Sequence, residues 1–195
     1  MIDDFRAFVF KNRGLLLALP AFALAIFGKP NALGIALGLP LAFAGELLRC
    51  WAVGYSGVTT RGDAVTAAEL VTAGPYAYAR NPLYVGNFVT AAGFAIAFTG
   101  RNGPALRWTL IVGSLAVMAA VYSIIVPHEE RFLQTQFGAA FERYRQRVPP
   151  VFPRLRPSPE GSGTWRPSVI KDAESKTFIT FAAMLAILVL KAFIP

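Results

Sequence analysis

Residues 106–126 read LRWTLIVGSLAVMAAVYSIIV, a long run of predominantly apolar side chains. A helix that crosses a bilayer needs roughly 17–25 such residues. Apolar runs also occupy residues 14–27, 32–55, 83–99 and 178–194. The sequence therefore predicts an all-α, polytopic integral membrane bundle with about five transmembrane helices.

The composition agrees with a membrane protein. Hydrophobic residues form 55% of the chain and charged residues 15%, and the mean hydropathy is +0.49, whereas soluble domains carry about 25% charged residues. We expect one membrane domain over residues 1–195, with a cytoplasmic linker at 154–176 and a C-terminal transmembrane helix at 177–195. The first run is short and contains Pro20. It could lie partly in the interface or be a cleaved signal peptide, although Asp3 and Asp4 fit a signal peptide poorly.

The distribution of Lys and Arg predicts the orientation. If the N terminus is cytoplasmic, the opposite side of the membrane holds only Lys29, Arg101, Arg107 and Lys191. Short loops rich in Lys and Arg favour the cytoplasm. The net charge of +8 then reflects a cytoplasmic face that attracts anionic membrane lipids. No module for nucleic acid is visible, so we expect no nucleic-acid partner.

The chain has one cysteine and one histidine, Cys50 and His128, far apart in the sequence. They cannot form a metal-ligand set, so we predict no metal site. Cys50 lies within an apolar run, where a thiol is inert, and we interpret it as a packing residue.

Charged residues within or beside the apolar runs indicate a site. Glu46 and Arg49 are three residues apart and share one helix face. A charge at membrane depth costs about 2.5–3.5 kcal/mol, so both should face the bundle interior. They could lock helix packing or line a pocket in which Arg49 meets an anionic substrate. Glu129 and Glu130 could complement a helix dipole or bind a ribose diol or a cation.

Several motifs occur in a fixed order. Residues 45–49 read GELLR, 70–76 LVTAGPY, 80–86 RNPLYVG and 129–133 EERFL, and Phe137-Gly138, Tyr144 and Val148-Pro149 follow. In combination, these motifs resemble the isoprenylcysteine carboxyl methyltransferase family and its relatives, the phospholipid N-methyltransferases. The resemblance covers residues 45–153, which it identifies as a catalytic core.

The resemblance implies an integral membrane methyltransferase that uses S-adenosyl-L-methionine, with its active site on the cytoplasmic side. The positions that match cofactor contacts are Val71, Gly74, Tyr78, Arg80, Asn81, Pro82, Tyr84, Glu129 and Glu130. Glu46, Arg49 and Arg147 match positions linked to catalysis or to substrate binding.

Asn81 departs from the family pattern, in which a histidine commonly precedes the proline. Asn cannot titrate near neutral pH, which argues against a general base at this position. A carboxylate acceptor needs no base, whereas an amine must lose a proton. We therefore expect O-methylation of a lipid-tailed or prenylated acceptor, with N-methylation of a phospholipid amine as the alternative.

Two other classes remain open. Membrane steroid reductases that use NADPH carry a similar Arg-His-Pro-x-Tyr loop, but they differ after the tyrosine from Val85-Gly86-Asn87. A non-enzymatic membrane protein on the same fold is compatible with Asn81. The sequence gives no oligomeric state.

Overall fold

The computed structural model describes residues 2–57 and 67–193, and its described secondary structure is helical. Two predictions fall partly outside these residues. Arg61 is predicted to lie on the cytoplasmic side, and residues 194–195 are predicted to end the C-terminal helix. The elements in chain order are α1 Ile2–Lys11, α2 Arg13–Phe27, α3 Ala32–Ser56, a short 3-10 helix Gly74–Ala77, α4 Pro82–Phe98, α5 Pro104–Phe137, α6 Ala139–Arg147 and α7 Ser168–Phe193. The predicted all-α class is confirmed.

Within residues 2–57 and 67–193, three helices are long and apolar enough to cross a membrane, namely α3, α5 and α7. Residues Phe5–Lys11 and helix α2 meet at an angle of 57°. If this bent pair of helices is treated as a single span, it is the fourth. Helix α4, which the sequence predicts as a span, is apolar but has only 17 residues. The polytopic membrane class is therefore confirmed, with three or four spans by length and composition where the sequence predicts about five.

Helices α3 and α4 pack closely because glycines line their contact. A Cβ atom added to Gly93 of α4 would lie 2.3 Å from the backbone N of Ala42, and one on Gly45 of α3 would lie 2.5 Å from the backbone N of Thr90. Small residues allow membrane helices to approach until their backbones touch. This contact fixes Glu46 and Arg49 of α3 beside the first turns of α4.

We expect Gly93→Val to destabilise the protein by about 3 kcal/mol or more, because overpacking costs about 1–3 kcal/mol even where side chains can move aside. At Gly93 the added side chain would meet the backbone of Ala42, which cannot move aside. Gly113→Val on α5 is the matched control, since a Cβ there meets no atom within 4 Å. Thermal unfolding in detergent should separate the two variants, and equal unfolding temperatures would contradict this account of the contact.

Helix α7 begins at Ser168, within the predicted linker at 154–176 and well before the apolar run that starts at residue 178. Its first turns are polar, but Ala173 and Glu174 are buried against the bundle. The remainder of the predicted linker crosses the loop between α3 and α4. Thr72 N donates to Ser162 O at 2.8 Å, and Arg166 N donates to Gly54 O at 2.7 Å. We call residues 148–167 the strap.

Candidate functional site

A cavity of about 1010 Å³ runs through the bundle. Its walls come from all seven described α-helices, α1 to α7, together with the loop that precedes α4. Ligand cavities usually measure about 300–1,000 Å³, so this one lies at the upper end of that range. It has a polar end near Glu130, a charged middle around Arg49 and an apolar end near Met184.

The charged middle is built on Arg49, which has an exposed fraction of only 6%. Its Nη2 lies 2.7 Å from Glu174 Oε2, and its Nε lies 3.4 Å from Glu46 Oε2. Nη1 donates a hydrogen bond to Asn87 Oδ1, and Nη2 donates to Thr177 Oγ1 at 3.2 Å. The exposed fractions of Glu46 and Glu174 are 7% and 1%. Three helices thus hold one arginine in a fixed orientation.

A chain of polar contacts links this middle to the polar end. Asn87 Nδ2 donates to the hydroxyl of Tyr122 at 2.7 Å. The ring of Tyr122 stacks on Tyr84, with ring centroids 4.3 Å apart. The Tyr84 hydroxyl in turn donates to Glu129 Oε1 at 2.7 Å. These contacts connect Asn87, a partner of Arg49, to Glu129 at the polar end.

At the polar end, Arg80 is held by Glu130 of α5. Arg80 Nη2 lies 2.7 Å from Glu130 Oε1, and Arg80 Nε donates to the same oxygen at 2.8 Å. Arg80 also donates to the carbonyls of Arg145 and Val148, and its backbone N donates to Pro149 O at 2.9 Å. Arg80 therefore joins the start of α4 to α5 and to the end of α6.

The half-buried Tyr76 and the buried Tyr144 complete the wall at this end. The Tyr144 hydroxyl donates to the backbone carbonyl of Tyr76 at 2.7 Å, and both residues line the cavity. Burial is the main cause that raises the pKa of Tyr76 and the pKa of Tyr144 well above the ordinary value for a phenol. Both phenols therefore stay neutral and keep their protons for hydrogen bonding at physiological pH.

The structure brings most of the predicted site residues to the cavity. Those that line it are Glu46, Arg49, Val71, Arg80, Asn81, Pro82, Tyr84, Glu129 and Glu130. Asn81 also anchors the strap, because its backbone N and its Nδ2 both donate to Pro150 O, at 3.1 and 3.0 Å.

Three predicted site residues are not among the residues that line this cavity. Gly74 has φ +60° and lies against the ring of Tyr55. Tyr78 lines a separate small pocket beside Trp51. Arg147 is exposed and forms an ion pair with Glu160 of the strap.

The charged middle also includes residues that the sequence patterns do not predict, namely Asn87, Tyr122, Glu174 and Thr177. A signal for Glu174 does exist. Glu174, Phe181 and Leu188 recur every seven residues and are all buried, so they share one face of α7. An acidic residue on the buried face of a membrane helix is a candidate for function. In the described part of the chain, no group of three or more His, Cys, Asp and Glu side chains is placed to hold a metal ion.

A family model described as phospholipid methyltransferase matches residues 33–140. The chain belongs to this family. The match covers α3, α4, α5 and the start of α6, which together carry both glutamates of the polar end and Arg49. It ends before the strap and α7, so the helix that supplies Glu174 lies outside it.

Three curated relatives are similar to the chain over part of its length. The nickel-cobalt-cadmium resistance protein NccN of Alcaligenes xylosoxydans xylosoxydans is 33% identical over 61% of this chain and 48% of its own. The cobalt-zinc-cadmium resistance protein CzcN of Cupriavidus metallidurans is 33% identical over 66% of this chain and 51% of its own length. The protein-S-isoprenylcysteine O-methyltransferase of Schizosaccharomyces pombe is 36% identical over 44% of this chain and 34% of its own length.

The chain spans about half the length of the first two relatives and a third of the last. No solved structure gives a significant match. The family match agrees with the resemblance found in the sequence.

Proposed function

We propose that this protein transfers a methyl group from S-adenosyl-L-methionine to a lipid-tailed acceptor at the cytoplasmic face of a membrane. One observation carries the proposal: a single cavity joins a polar end with two glutamates to an apolar end, and the buried Arg49 cluster lies between them. Such a cavity suits a reaction between a polar cofactor and an apolar acceptor, because each reactant finds a matching environment.

The polar end fits the cofactor by the chemistry of its side chains. Carboxyl oxygens accept hydrogen bonds, so those of Glu129 and Glu130 match the hydroxyl and ammonium groups of S-adenosylmethionine. Glu130 is held by Arg80 and Glu129 by Tyr84, so both carboxylates are fixed in orientation. When bound, this cofactor supplies a methyl group activated by a sulfonium. Asn81 and Val71 line the same end and would help to enclose it.

The apolar end supports entry of the acceptor from the bilayer. Phe22 of α2 and Ile179 of α7 both line the cavity, yet their exposed fractions are 62% and 69%. The cavity therefore reaches the outer surface between these two helices, where lipid would surround the protein. Phe94, Phe181 and Met184 continue the apolar wall inward. A lipid tail can enter through this gap and leave its headgroup near Arg49.

The Arg49 cluster would position the acceptor. Methyl transfer is a displacement that depends on alignment, and orienting two reactants can lower a barrier by roughly 7–11 kcal/mol. An oxygen acceptor would approach the Arg49 guanidinium, as the sequence suggests. The carboxylates of Glu46 and Glu174 support an amine acceptor as the second candidate, because they can accept hydrogen bonds from an ammonium or amine group.

A label-transfer assay tests the proposal. Purified protein is incubated with methyl-labelled S-adenosylmethionine and either a prenylated cysteine or phosphatidylethanolamine, and the lipid fraction is counted. We expect label in the lipid with at least one acceptor. Alkali releases a methyl ester as volatile methanol but leaves a methylated amine intact, so the product identifies the acceptor atom. Absence of transfer to either acceptor, in protein that still unfolds cooperatively, would contradict the proposal for these acceptors.

A further inference from the structure

Two large apolar side chains are fully exposed on the strap, away from the cavity. Phe152 has an exposed fraction of 87% and Leu155 one of 101%. Arg154 lies between them and Arg156 follows, so apolar and basic residues alternate in this short loop. A single exposed apolar residue is ordinary, but a cluster rimmed by charge marks an interaction surface.

The backbone of this loop is fixed on both sides. Arg154 N donates to Tyr78 O at 3.0 Å, and Ser158 N donates to Ala77 O at 2.9 Å. The Arg154 side chain also donates to the carbonyl of Arg147 at 3.0 Å. The loop therefore presents Phe152 and Leu155 outward from a defined position.

The loop lies at the end of a lipid-facing stripe. Helix α3 carries exposed apolar residues at Leu33, Leu37, Leu47 and Trp51, which are spaced at about whole helical turns. Trp51 lines an apolar pocket of about 270 Å³ together with Pro153 of the loop. Tryptophan is enriched where a transmembrane helix meets the membrane interface. Pro153 therefore brings the loop that carries Phe152 and Leu155 to the end of the stripe that Trp51 marks.

We propose that residues 151–156 are a membrane-surface anchor, which inserts Phe152 and Leu155 among the lipid headgroups and places Arg156 on an anionic phosphate. Apolar side chains partition into this boundary when basic neighbours can reach the headgroups. The Arg guanidinium binds phosphate through two parallel hydrogen bonds. The occupant is a bilayer surface that contains anionic lipid, and the proposal is independent of the proposed methyl transfer.

The test uses a fluorophore on Leu155→Cys in full-length protein reconstituted in lipid nanodiscs. Cys50→Ala removes the only native cysteine. Fluorescence is quenched either by lipids spin-labelled near the headgroup or by aqueous iodide. Leu33→Cys on the exposed face of α3 is the lipid control, and Glu160→Cys, whose native side chain is 69% exposed on the strap, is the control for water.

We expect the label at position 155 to be quenched by the spin-labelled lipid and protected from iodide, in contrast to the label at position 160. Quenching by iodide would overturn the proposal, because the loop would then be solvated. Protection from both quenchers would also overturn it, because protein would then cover the loop, for example a second copy of the chain.

Arg156→Gln tests the anionic preference separately. In the labelled protein that keeps Arg156, lipid quenching should increase when anionic lipid replaces zwitterionic lipid in the nanodisc. The labelled protein that also carries Arg156→Gln should lose most of this increase. An increase of the same size in both proteins would overturn the assignment of Arg156 to headgroup phosphate.

Discussion

Replacing Arg49 with alanine is expected to abolish methyl transfer and to destabilise the protein by about 3–5 kcal/mol, because removal of one partner leaves buried charge uncompensated. Glu46 and Glu174 both lie within ion-pair distance of Arg49. Methyl transfer and thermal unfolding in detergent are measured on the same preparation. Arg145→Ala is the matched control, since Arg145 pairs with Glu142 at the surface, where an ion pair contributes about 0–1 kcal/mol.

Two milder variants separate orientation from charge at this position. Arg49→Lys keeps the positive charge but loses the planar fork that reaches Glu174, Thr177 and Asn87. We expect a folded protein with greatly reduced transfer. Glu174→Gln keeps the shape of the side chain and should also reduce transfer, although this residue lies outside the region that matches the family model. Full activity in both variants would contradict the assignment of this cluster to the acceptor.

Glu130→Gln is expected to weaken binding of S-adenosylhomocysteine about ten- to a hundredfold, because hydrogen bonds to charged groups contribute about 1.5–3 kcal/mol. The amide oxygen can still accept a hydrogen bond from Arg80, so the fold should be retained. Isothermal titration of the detergent-solubilised protein gives the dissociation constant.

Glu142→Gln on α6 is the control for this measurement. Glu142 also pairs with an arginine, and its pKa is lowered by hydrogen bonds from Gln146 and Arg145, but it is not among the residues that line the cavity. The control should bind the ligand as the unsubstituted protein does. An unchanged dissociation constant in Glu130→Gln would remove this glutamate from the proposed cofactor site.

Polar residues that interrupt or adjoin an apolar run are the ones whose place at the cavity the sequence predicts best. The charges of Glu46 and Arg49 would be costly to place in lipid, and the structure places both residues at the cavity. Glu129 and Glu130 lie beside an apolar run and also reach the cavity. For Glu46 and Arg49, the cost of burying charge directs both to the bundle interior without a structure, whereas Glu129 and Glu130 are selected through the family resemblance.

Glu174 illustrates the limit of this reasoning, because its seven-residue spacing with Phe181 and Leu188 places it on one helix face but does not show that this face is buried at residue 174. It lies among polar residues at the start of α7, where composition predicts a linker, and only its partner on α3 explains its burial. A contact between residues so distant in the sequence depends on how the helices pack. For the same reason, the motif that contains Gly74 and Tyr78 correctly predicts a loop at the polar end of the bundle. It does not predict which side chains of this loop face the cavity.

Thermal stabilisation by S-adenosylhomocysteine, compared with NADPH, tests the central claim most directly. A ligand at about 100 times its dissociation constant adds about 2.7 kcal/mol of apparent stability. The account predicts stabilisation by S-adenosylhomocysteine, none by NADPH, and a reduced response in Glu130→Gln. Stabilisation by NADPH alone would contradict it and favour a reductase, and no response to either ligand would favour a membrane protein without this enzymatic activity.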